Sequence, residues 1–251
     1  MSGHSHWSGI KYKKGAADAK RGKLFSKLSK YIITAARDGG GDPDSNLKLR
    51  YAIDKAKAAS MPKDNIERAI RRGAGLEKTE SLERITYEGY GPGGTALMVQ
   101  VLTDNRNRTV SEIRRAFSRH GGNLGENGCV AWMFEPKGYI TIPMNGHDAD
   151  ELFELAVEAG ADDVIIGEDM IEVYADVGDF EGVQEALSGA QIEMDTAELS
   201  MVAQSKVNLD LAEGLKLMGL VDALEELDDV EQVYTNLDIT DEMFEQYAQS
   251  S

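Results

Sequence analysis

The spacing of apolar residues changes near residue 80, and this change constrains the fold more than any other feature of the sequence. Before it, apolar residues recur in steps of three and four, which is the period of a helix that buries one face. Glycine runs and prolines divide this stretch, because neither residue continues a helix easily. Three helices are therefore predicted, over about 24–39, 46–59 and 62–73.

The stretch after residue 80 is rich in strand-forming residues that alternate with helical patterns. Within it, residues 138–203 follow the order strand, helix, strand, strand, helix, strand. That order is the split β-α-β motif of the ferredoxin-like fold. The predicted strands lie at 139–142, 163–166, 170–175 and 197–203, and the predicted helices at 148–159 and 179–188.

The residues on either side of this unit predict a second unit of the same order. Arg84–Tyr90 and Thr95–Thr103 flank a glycine-rich turn and form a predicted hairpin. Thr109 and Glu112 form a predicted capping box at the start of the next helix. The remaining predicted elements are strands at 123–124 and 129–135, a helix at 209–227 and a strand at 230–235.

We therefore predict an α+β fold with an N-terminal helical domain and two ferredoxin-like α/β domains, one inserted into the other. The helical domain covers residues 1–80. The host domain is discontinuous and consists of 81–137 and 206–240, and the inserted acidic domain covers 138–205. The acidic segment from Asp238 onward is predicted to be partly frayed, because terminal polar segments are ordered only where they pack.

The charges are divided unequally among these predicted domains. The chain has 27 basic and 44 acidic residues, which gives a net charge of −17. Residues 1–80 have 18 basic and 9 acidic residues, a net charge of +9, whereas residues 121–251 have 3 basic and 31 acidic residues, a net charge of −28. Such asymmetry predicts an electrostatic role for the N-terminal part, with a polyanion as its partner.

The basic segment Gly3–Lys30 is the first candidate site, since it contains a single acidic residue, Asp18. Lysine side chains neutralise phosphates and release counterions, which gives affinity for nucleic acid of any sequence. An interleaved tryptophan adds a ring that stacks on bases. The alternative is a solvated helix face. The predicted nucleic-acid-binding residues here are Trp7, Lys11, Lys13, Lys14, Lys20, Arg21, Lys23, Lys27, Lys30 and Arg37.

Six blocks stand out in the sequence, namely GHSHWSGIKYKKGAADAKRGKLFSKL, GGGDPDSN, MPKDNIERAI, YEGYGPGGTA, DNRNRT and GGNLG. In order and in spacing they resemble the YebC family. Members of that family are described as probable transcriptional regulatory proteins, and a mitochondrial relative is a translational activator of cytochrome c oxidase. The resemblance implies a helical domain plus two α/β domains, no known catalytic residues, and either DNA binding or ribosome association.

Residues Gly89–Gly94 match the dinucleotide-binding pattern G-x-G-x-x-G by letter. That site requires a helix after the glycines, whose N-terminus holds the pyrophosphate. Here a strand-forming run follows, so the segment is predicted to be a hairpin turn and no cofactor is expected. A contact role for Tyr87 and Tyr90 stays open.

Arg106 and Arg108 are the second predicted nucleic-acid contact, because they precede a helix N-terminus. Free amide groups there favour anions, and arginine binds phosphate through two nitrogens at once. In the alternative, Asp104 and the neighbouring asparagines build the turn while the arginines pair with the acidic domain. Both interpretations stay open at this point.

Other classes of site are not indicated by the sequence. The single cysteine, Cys129, forms no internal disulfide, which fits a reducing compartment, and it is predicted to be a core residue inside a strand. No cysteine and histidine set has zinc spacing. The apolar runs are far shorter than the ~20 residues that span a bilayer. We expect a cytoplasmic monomer with no metal, no cofactor, no small-molecule substrate and no membrane contact.

These observations together predict a non-enzymatic, nucleic-acid-binding regulator of gene expression. Its target is either DNA or ribosomal RNA, and in the second case its partner is the ribosome. No helix carries base-reading asparagine, glutamine and arginine on one face, which favours RNA. Two alternatives stay open. One is a protein-interaction module that acts through the acidic α/β domains, and the other is an enzyme that uses the cleft between those domains.

Overall fold

The structure is a computed structural model that describes residues 18–76, 82–144, 147–167 and 170–250. Within these residues a helical domain is followed by two four-stranded antiparallel sheets, each covered by helices. In chain order the elements are α1 (Asp18–Gly39), α2 (Leu47–Ala58), α3 (Lys63–Gly73), β1 (Glu83–Tyr90), β2 (Ala96–Thr103), α4 (Arg106–Arg119), β3 (Asn123–Leu124), β4 (Phe134–Pro143), α5 (Ala149–Glu158), β5 (Ala161–Ile166), β6 (Met170–Ala175), α6 (Phe180–Gly189), β7 (Thr196–Ala203), α7 (Leu211–Glu225), β8 (Val230–Thr235) and α8 (Asp241–Ser250).

The three predicted helices of the N-terminal part are α1, α2 and α3, and they share one core. Ile32 of α1 and Ile66 of α3 are buried there. The buried side chain of Asn46 joins the first two helices. Its Oδ1 accepts a hydrogen bond from the Leu49 amide at 3.1 Å and caps α2, while its Nδ2 donates to the Ala35 carbonyl at 2.8 Å. The end of α1 and the start of α2 are therefore held by one residue.

The first sheet has the strand order β3-β1-β2-β8, and every neighbouring pair is antiparallel. β1 and β2 form the predicted hairpin. Helices α4 and α7 pack on this sheet and bury Phe117 and Leu217 against Leu97 and Val99. Because β8 pairs with β2, the chain returns to the first sheet after it has completed the second.

The second sheet has the order β5-β6-β4-β7 and draws all its strands from residues 134–203. Ile140, Ile171 and Leu187 are buried between this sheet and helices α5 and α6. With β4 as the first strand, the elements follow the predicted ferredoxin-like sequence. The predicted α+β fold class, a helical part followed by two sheets with their helices, is confirmed.

The first sheet differs from the prediction at its expected strand over 129–135. Residues Ala131–Met133 form a 3₁₀ turn, and β4 begins at Phe134 and joins the second sheet. The cause is Glu88, whose buried carboxylate accepts hydrogen bonds from the amides of Gly128, Val130 and Ala131. Those amides are then not available to a neighbouring strand. β4 also crosses the predicted boundary at 137/138, and the domain boundaries themselves stay predictions.

Helix α4 begins one turn earlier than the predicted capping box. Its first residue is Arg106, and Asn105 caps it by accepting a hydrogen bond from the Arg108 amide at 3.1 Å. The predicted role of Thr109 and Glu112 as a capping box is therefore wrong. Thr109 is buried, and its hydroxyl donates to the carboxylate of Asp229 at 2.6 Å.

The segment from Asp238 onward, which is predicted to be partly frayed, forms a helix over Asp241–Ser250. Its helix, α8, packs Met243 against α7, where Gly214 leaves the necessary room. A Cβ on Gly214 would lie 2.6 Å from the sulfur of Met243. The hydroxyl of Tyr247 donates to Asp222 at 2.7 Å. Met243 and Tyr247 lie one turn apart, and their packing outweighs the polar composition of the segment.

Candidate nucleic-acid interface

A cleft of about 220 Å³ between α1 and α3 brings arginine side chains next to hydroxyl and amide groups. Arg68 and Arg72 lie one turn apart on α3, and both side chains are exposed at the cleft that Ala69 also lines. Phosphate is a ligand that suits such a group of donors, because arginine supplies charge and a planar fork while hydroxyl groups add neutral hydrogen bonds. The polar lining consists of Ser26, Ser29, Asn65, Arg68 and Arg72.

The position of α3 against α1 depends on Gly73. A Cβ on Gly73 would lie 2.3 Å from the carbonyl oxygen of Ile33 and 2.6 Å from the Cβ of Ala36. The two helices approach this closely because glycine has no side chain. Since Ile33 also lines the cleft, this contact fixes the separation of the two walls.

Arg68 and Arg72 are not among the residues predicted from the sequence. The reason is that α3 has acidic residues between its basic ones, so it does not form a run of one sign. A signal is nevertheless present. The two arginines are four residues apart, and side chains at that spacing share one surface of a helix.

The predicted residues of the basic segment have three different outcomes. A first group lies outside the described residues. A second group belongs to α1, but only its backbone is described. A third group, Lys27, Lys30 and Arg37, is described with its side chains. The first group is Trp7, Lys11, Lys13 and Lys14, and the second is Lys20, Arg21 and Lys23.

Lys27 and Lys30 lie on the side of α1 that contacts the first sheet. The ammonium group of Lys27 donates to the carbonyl of Glu225 at the end of α7. The ammonium group of Lys30 lies 2.6 Å from a carboxylate oxygen of Asp229 and also donates to the carbonyl of Asp228 at 3.0 Å. Both lysines therefore join the helical domain to the acidic half of the chain.

Asp229 is the centre of this contact and is 2% exposed. Besides Lys30, its carboxylate accepts hydrogen bonds from Thr103 at 3.0 Å, Thr109 at 2.6 Å and Arg108 at 2.7 Å. Burial by itself raises the pKa of Asp229, but the hydrogen bonds from Lys30, Thr109 and Arg108 outweigh it and hold the pKa at about 2. The carboxylate is therefore charged, and its two cationic partners come from different domains.

The other predicted arginines differ in the ion pairs and hydrogen bonds that they form. Arg108 pairs with Asp104 at 2.8 Å and with Asp229, and these hydrogen bonds raise its pKa. This geometry favours the turn-building interpretation for Arg108. Arg106 is exposed at the start of α4. Arg37 donates to the carbonyl of Leu82, at the start of the first sheet, at 3.1 Å.

The glycine-rich segment after β1 is the predicted hairpin turn. The amide of Gly91 donates to the carbonyl of Thr95 at 2.8 Å, and Gly93 adopts a φ of 65° that favours glycine. A Cβ on Gly91 would lie 2.5 Å from the side chain of Leu217, so the turn packs closely on α7. Of the two tyrosines with an open contact role, Tyr87 is buried and Tyr90 is exposed.

Two profiles of one protein family match this chain. The profile described as the TACO1/YebC protein N-terminal domain matches residues 5–76, and the profile described as the TACO1/YebC second and third domain matches residues 82–237. The chain belongs to the TACO1/YebC family. The two matches meet between the helical domain and the first sheet.

Members of the TACO1/YebC family from several bacteria are similar over almost the whole chain. A probable transcriptional regulatory protein from Desulfosudis oleivorans is 55% identical over 98% of this chain and 100% of its own length. The probable transcriptional regulatory protein GSU1074 from Geobacter sulfurreducens is 54% identical over 98% of this chain and 99% of its own length.

A crystal structure of the conserved hypothetical protein Aq1575 from Aquifex aeolicus is also similar. It has a TM-score of 0.81 and 48% sequence identity, and the match covers 89% of this chain and 93% of that one. The similarity therefore includes most of the arrangement of helices and sheets in this TACO1/YebC family member.

Cys129 of this TACO1/YebC family member lies outside any strand, contrary to the prediction. It is half-buried in the loop before β4. Burial and the charge of Glu88 raise the pKa of its thiol, which keeps it protonated and poorly nucleophilic. Within the described residues, no three histidine, cysteine or carboxylate side chains are grouped to hold a metal ion, and no helix is long and apolar enough to cross a membrane.

Proposed function

We propose that this chain is a regulator of gene expression that binds structured RNA, such as ribosomal RNA, through the cleft between α1 and α3. The regulatory role is supported by its relatives, which are named probable transcriptional regulatory proteins. The choice of ligand is supported by Arg68 and Arg72, which lie beside Ser26, Ser29 and Asn65 in one cleft. This grouping is the observation that carries the proposal.

Phosphate groups of a nucleic-acid backbone fit this cleft chemically. Arg68 and Arg72 each provide a guanidinium fork that binds two oxygens of one phosphate. Their spacing of one helical turn is about 5.4 Å along the axis, which is of the order of the distance between successive phosphates of a folded strand. Neutral donors in the same cleft add hydrogen bonds without adding charge.

Structured RNA is favoured over duplex DNA because of how the helical domain is attached. Lys27 and Lys30 hold α1 against Glu225 and Asp229, which belong to the acidic half of the chain. A long duplex that lay along α1 would approach the exposed carboxylates of Glu226 and Asp228, which lie beside these contacts, and would be repelled. A folded RNA with a pocket for the helical domain keeps its phosphates away from them, so repulsion provides selectivity.

The proposal contains no catalytic step. Strongly shifted pKa values often mark catalytic groups. Here the groups with shifted pKa values form ion pairs. Asp229 pairs with Arg108, and Lys137 pairs with Asp162 and Asp176. These groups join elements of the fold.

The test is a salt titration of the full-length chain against ribosomes and against a promoter duplex. Changing Arg68 and Arg72 together to Glu should weaken ribosome binding at least ~10-fold and make the slope of log K against log salt shallower by about 1.5. The matched control is the double change of Lys48 and Lys57 to Glu. It alters the same charge in the same domain, but on α2, which does not line the cleft.

Equal loss of binding in both double variants would indicate a general charge effect and contradict a site in the cleft. Binding of the promoter duplex at physiological salt, with no binding of ribosomes, would replace RNA by DNA as the ligand. Thermal unfolding of each variant checks that the helical domain remains folded, since all four side chains are exposed.

An exposed apolar pair on α5 favours a second candidate function, a protein-interaction module. Phe153 and Val157 are 43% and 46% exposed and lie one turn apart among acidic residues. Changing both to Asp should abolish regulation in cells while RNA binding is kept, if this surface is the functional one. Loss of regulation in the Arg68 and Arg72 variant alone would contradict it.

A further inference from the structure

A tryptophan side chain is exposed in the loop that leads from the first sheet into the second. Trp132 lies in the 3₁₀ turn before β4 and is 67% exposed. Its indole nitrogen donates to the carbonyl oxygen of Cys129 at 3.1 Å. The hydroxyl of Tyr90, at the end of β1, donates to the same oxygen at 2.9 Å, and Tyr90 is 37% exposed. The two donor atoms therefore lie within about 6 Å of each other.

Glu88 holds the loop that carries these two rings. Its carboxylate accepts hydrogen bonds from the amides of Gly128, Val130 and Ala131 at 2.7–2.8 Å, and its own carbonyl accepts one from Gly125. Burial acts to raise the pKa of Glu88, but the three amides outweigh it and lower the pKa. Because the charged carboxylate binds amides along the loop, Trp132 projects from a rigid support.

The chemistry left exposed by this arrangement is the face of an aromatic ring. The polar edges of Trp132 and Tyr90 already donate to Cys129, so a ligand meets π-surface more than hydrogen-bonding groups. Stacking on a flat ring is the interaction that such a surface supports.

The neighbours of Trp132 in the loop indicate which flat ligand fits. Glu126 and Asn127 in this loop, and Asn123 in β3 opposite Tyr90, are exposed and polar. Glu126 repels phosphate, which favours contact through a base and not through the backbone. The asparagine amides can donate to and accept from base edges.

We propose that Trp132 and Tyr90 form a stacking platform for unpaired nucleobases. This inference rests on the proposed function, in which the cleft between α1 and α3 takes the phosphates of the same RNA. Stacking on an aromatic ring tolerates every base. The platform would thus bind exposed loops or ends of a structured RNA, whereas the cleft binds its backbone.

Fluorescence of Trp132 tests the platform directly. The chain has two tryptophans, so the full-length variant Trp7→Phe reports Trp132 alone. The probes are a single-stranded oligoadenylate and an abasic oligomer of the same length and charge. Saturable quenching by the oligoadenylate, with little quenching by the abasic oligomer, is expected, because only the first presents bases to stack.

Substitutions at the exposed ring provide the affinity test. Trp132→Leu keeps an apolar side chain but removes the π-surface, and should weaken oligoadenylate binding by roughly 5- to 150-fold while leaving the abasic oligomer unchanged. Trp132→Tyr should retain most of the affinity. Equal affinity of wild type and Trp132→Leu for the oligoadenylate would overturn the platform and leave the indole as a protein contact.

Failure of the platform can be told apart from failure of the proposed function. If the platform is wrong, the Arg68 and Arg72 variant still loses ribosome binding while Trp132→Leu does not. If the cleft is wrong, Trp132→Leu weakens oligoadenylate binding and the arginine variant binds normally. If neither variant loses binding, both the platform and the cleft are contradicted.

Discussion

Asp229 and Glu88 are both buried carboxylates with lowered pKa values, yet different groups stabilise them. Asp229 is bonded by side chains of α1, β2 and α4, and two of these are cations. Glu88 is bonded by three backbone amides of one loop. The carboxylate of Asp229 neutralises cations from two different domains, whereas the carboxylate of Glu88 holds a loop within a single domain.

This difference indicates what each carboxylate controls. The bonds of Asp229 connect residues far apart in sequence, so its loss affects how the helical domain sits on the first sheet. The bonds of Glu88 reach only 40 to 43 residues along the chain, to a loop that pairs with no strand. Its loss should leave the domains together and release Trp132.

The largest expected effect is that of Asp229→Asn. The change leaves Lys30 and Arg108 facing each other without the anion between them, and breaking such a buried pair costs about 3 kcal/mol of unfolding free energy. Thermal unfolding should separate into two transitions, because the helical domain loses its anchor. A single transition at the wild-type temperature would contradict the role of Asp229 as a link between domains.

Acid should produce the next largest effect, and its sign follows from the lowered pKa of Asp229. The pKa is about 2 in the folded chain and 3.8 ordinarily. The stability from this group is therefore fully present above about pH 4 and is lost as pH falls towards 2, in total about 2 kcal/mol. Denaturant unfolding between pH 5 and 2 should show a shallower decline in Asp229→Asn than in the wild type. If the unfolding free energies of the two proteins fell in parallel with pH, the acid sensitivity would come from carboxylates other than Asp229.

Glu88→Gln should have a smaller and more local effect. The glutamine amide still accepts through its oxygen, but its NH₂ group faces amides that also donate, which costs about 1.5 kcal/mol. The loop should loosen, so quenching of Trp132 by oligoadenylate should decrease while thermal unfolding keeps the wild-type number of transitions. If thermal unfolding of Glu88→Gln also separated into two transitions, Glu88 would link domains as Asp229 does, and the distinction between the two carboxylates would be wrong.

The parts of the fold that the sequence predicts are those set by local pattern. The helices of the first 76 residues follow from apolar spacing and from breakers such as Pro43 and Pro62. The second sheet follows from an uninterrupted strand and helix order. In both regions the elements that pack together come from one continuous stretch of the chain, so local signals and tertiary contacts agree.

The parts that sequence reasoning misses depend on single side chains that act over long distances. Val130 and its neighbours are apolar like a strand, but Glu88 takes their amides. Thr109 has the spacing of a helix cap, but its hydroxyl is used by Asp229. Lys30 belongs to a basic stripe, yet it faces an acid about 200 residues away. None of these partners is visible in a local window.

The two arginines at the start of α4 provide the smallest expected effects and the finest distinction. Arg108→Ala removes one cation from Asp229, and because the Arg108 side chain is 44% exposed, the cost should be about 1 kcal/mol with ribosome affinity nearly unchanged. Arg106→Ala removes an exposed side chain outside that cluster, so stability should stay within about 0.5 kcal/mol. If Arg106 contacts phosphate, the salt slope of binding should fall by about 1. Denaturant unfolding and the salt titration, applied to both variants, separate the two roles. The reverse pattern would be lost binding in Arg108→Ala and lost stability in Arg106→Ala. It would mean that Arg108, which pairs with Asp229 in this structure, is the arginine that contacts RNA, and that the Asp229 carboxylate occupies the position of an RNA phosphate.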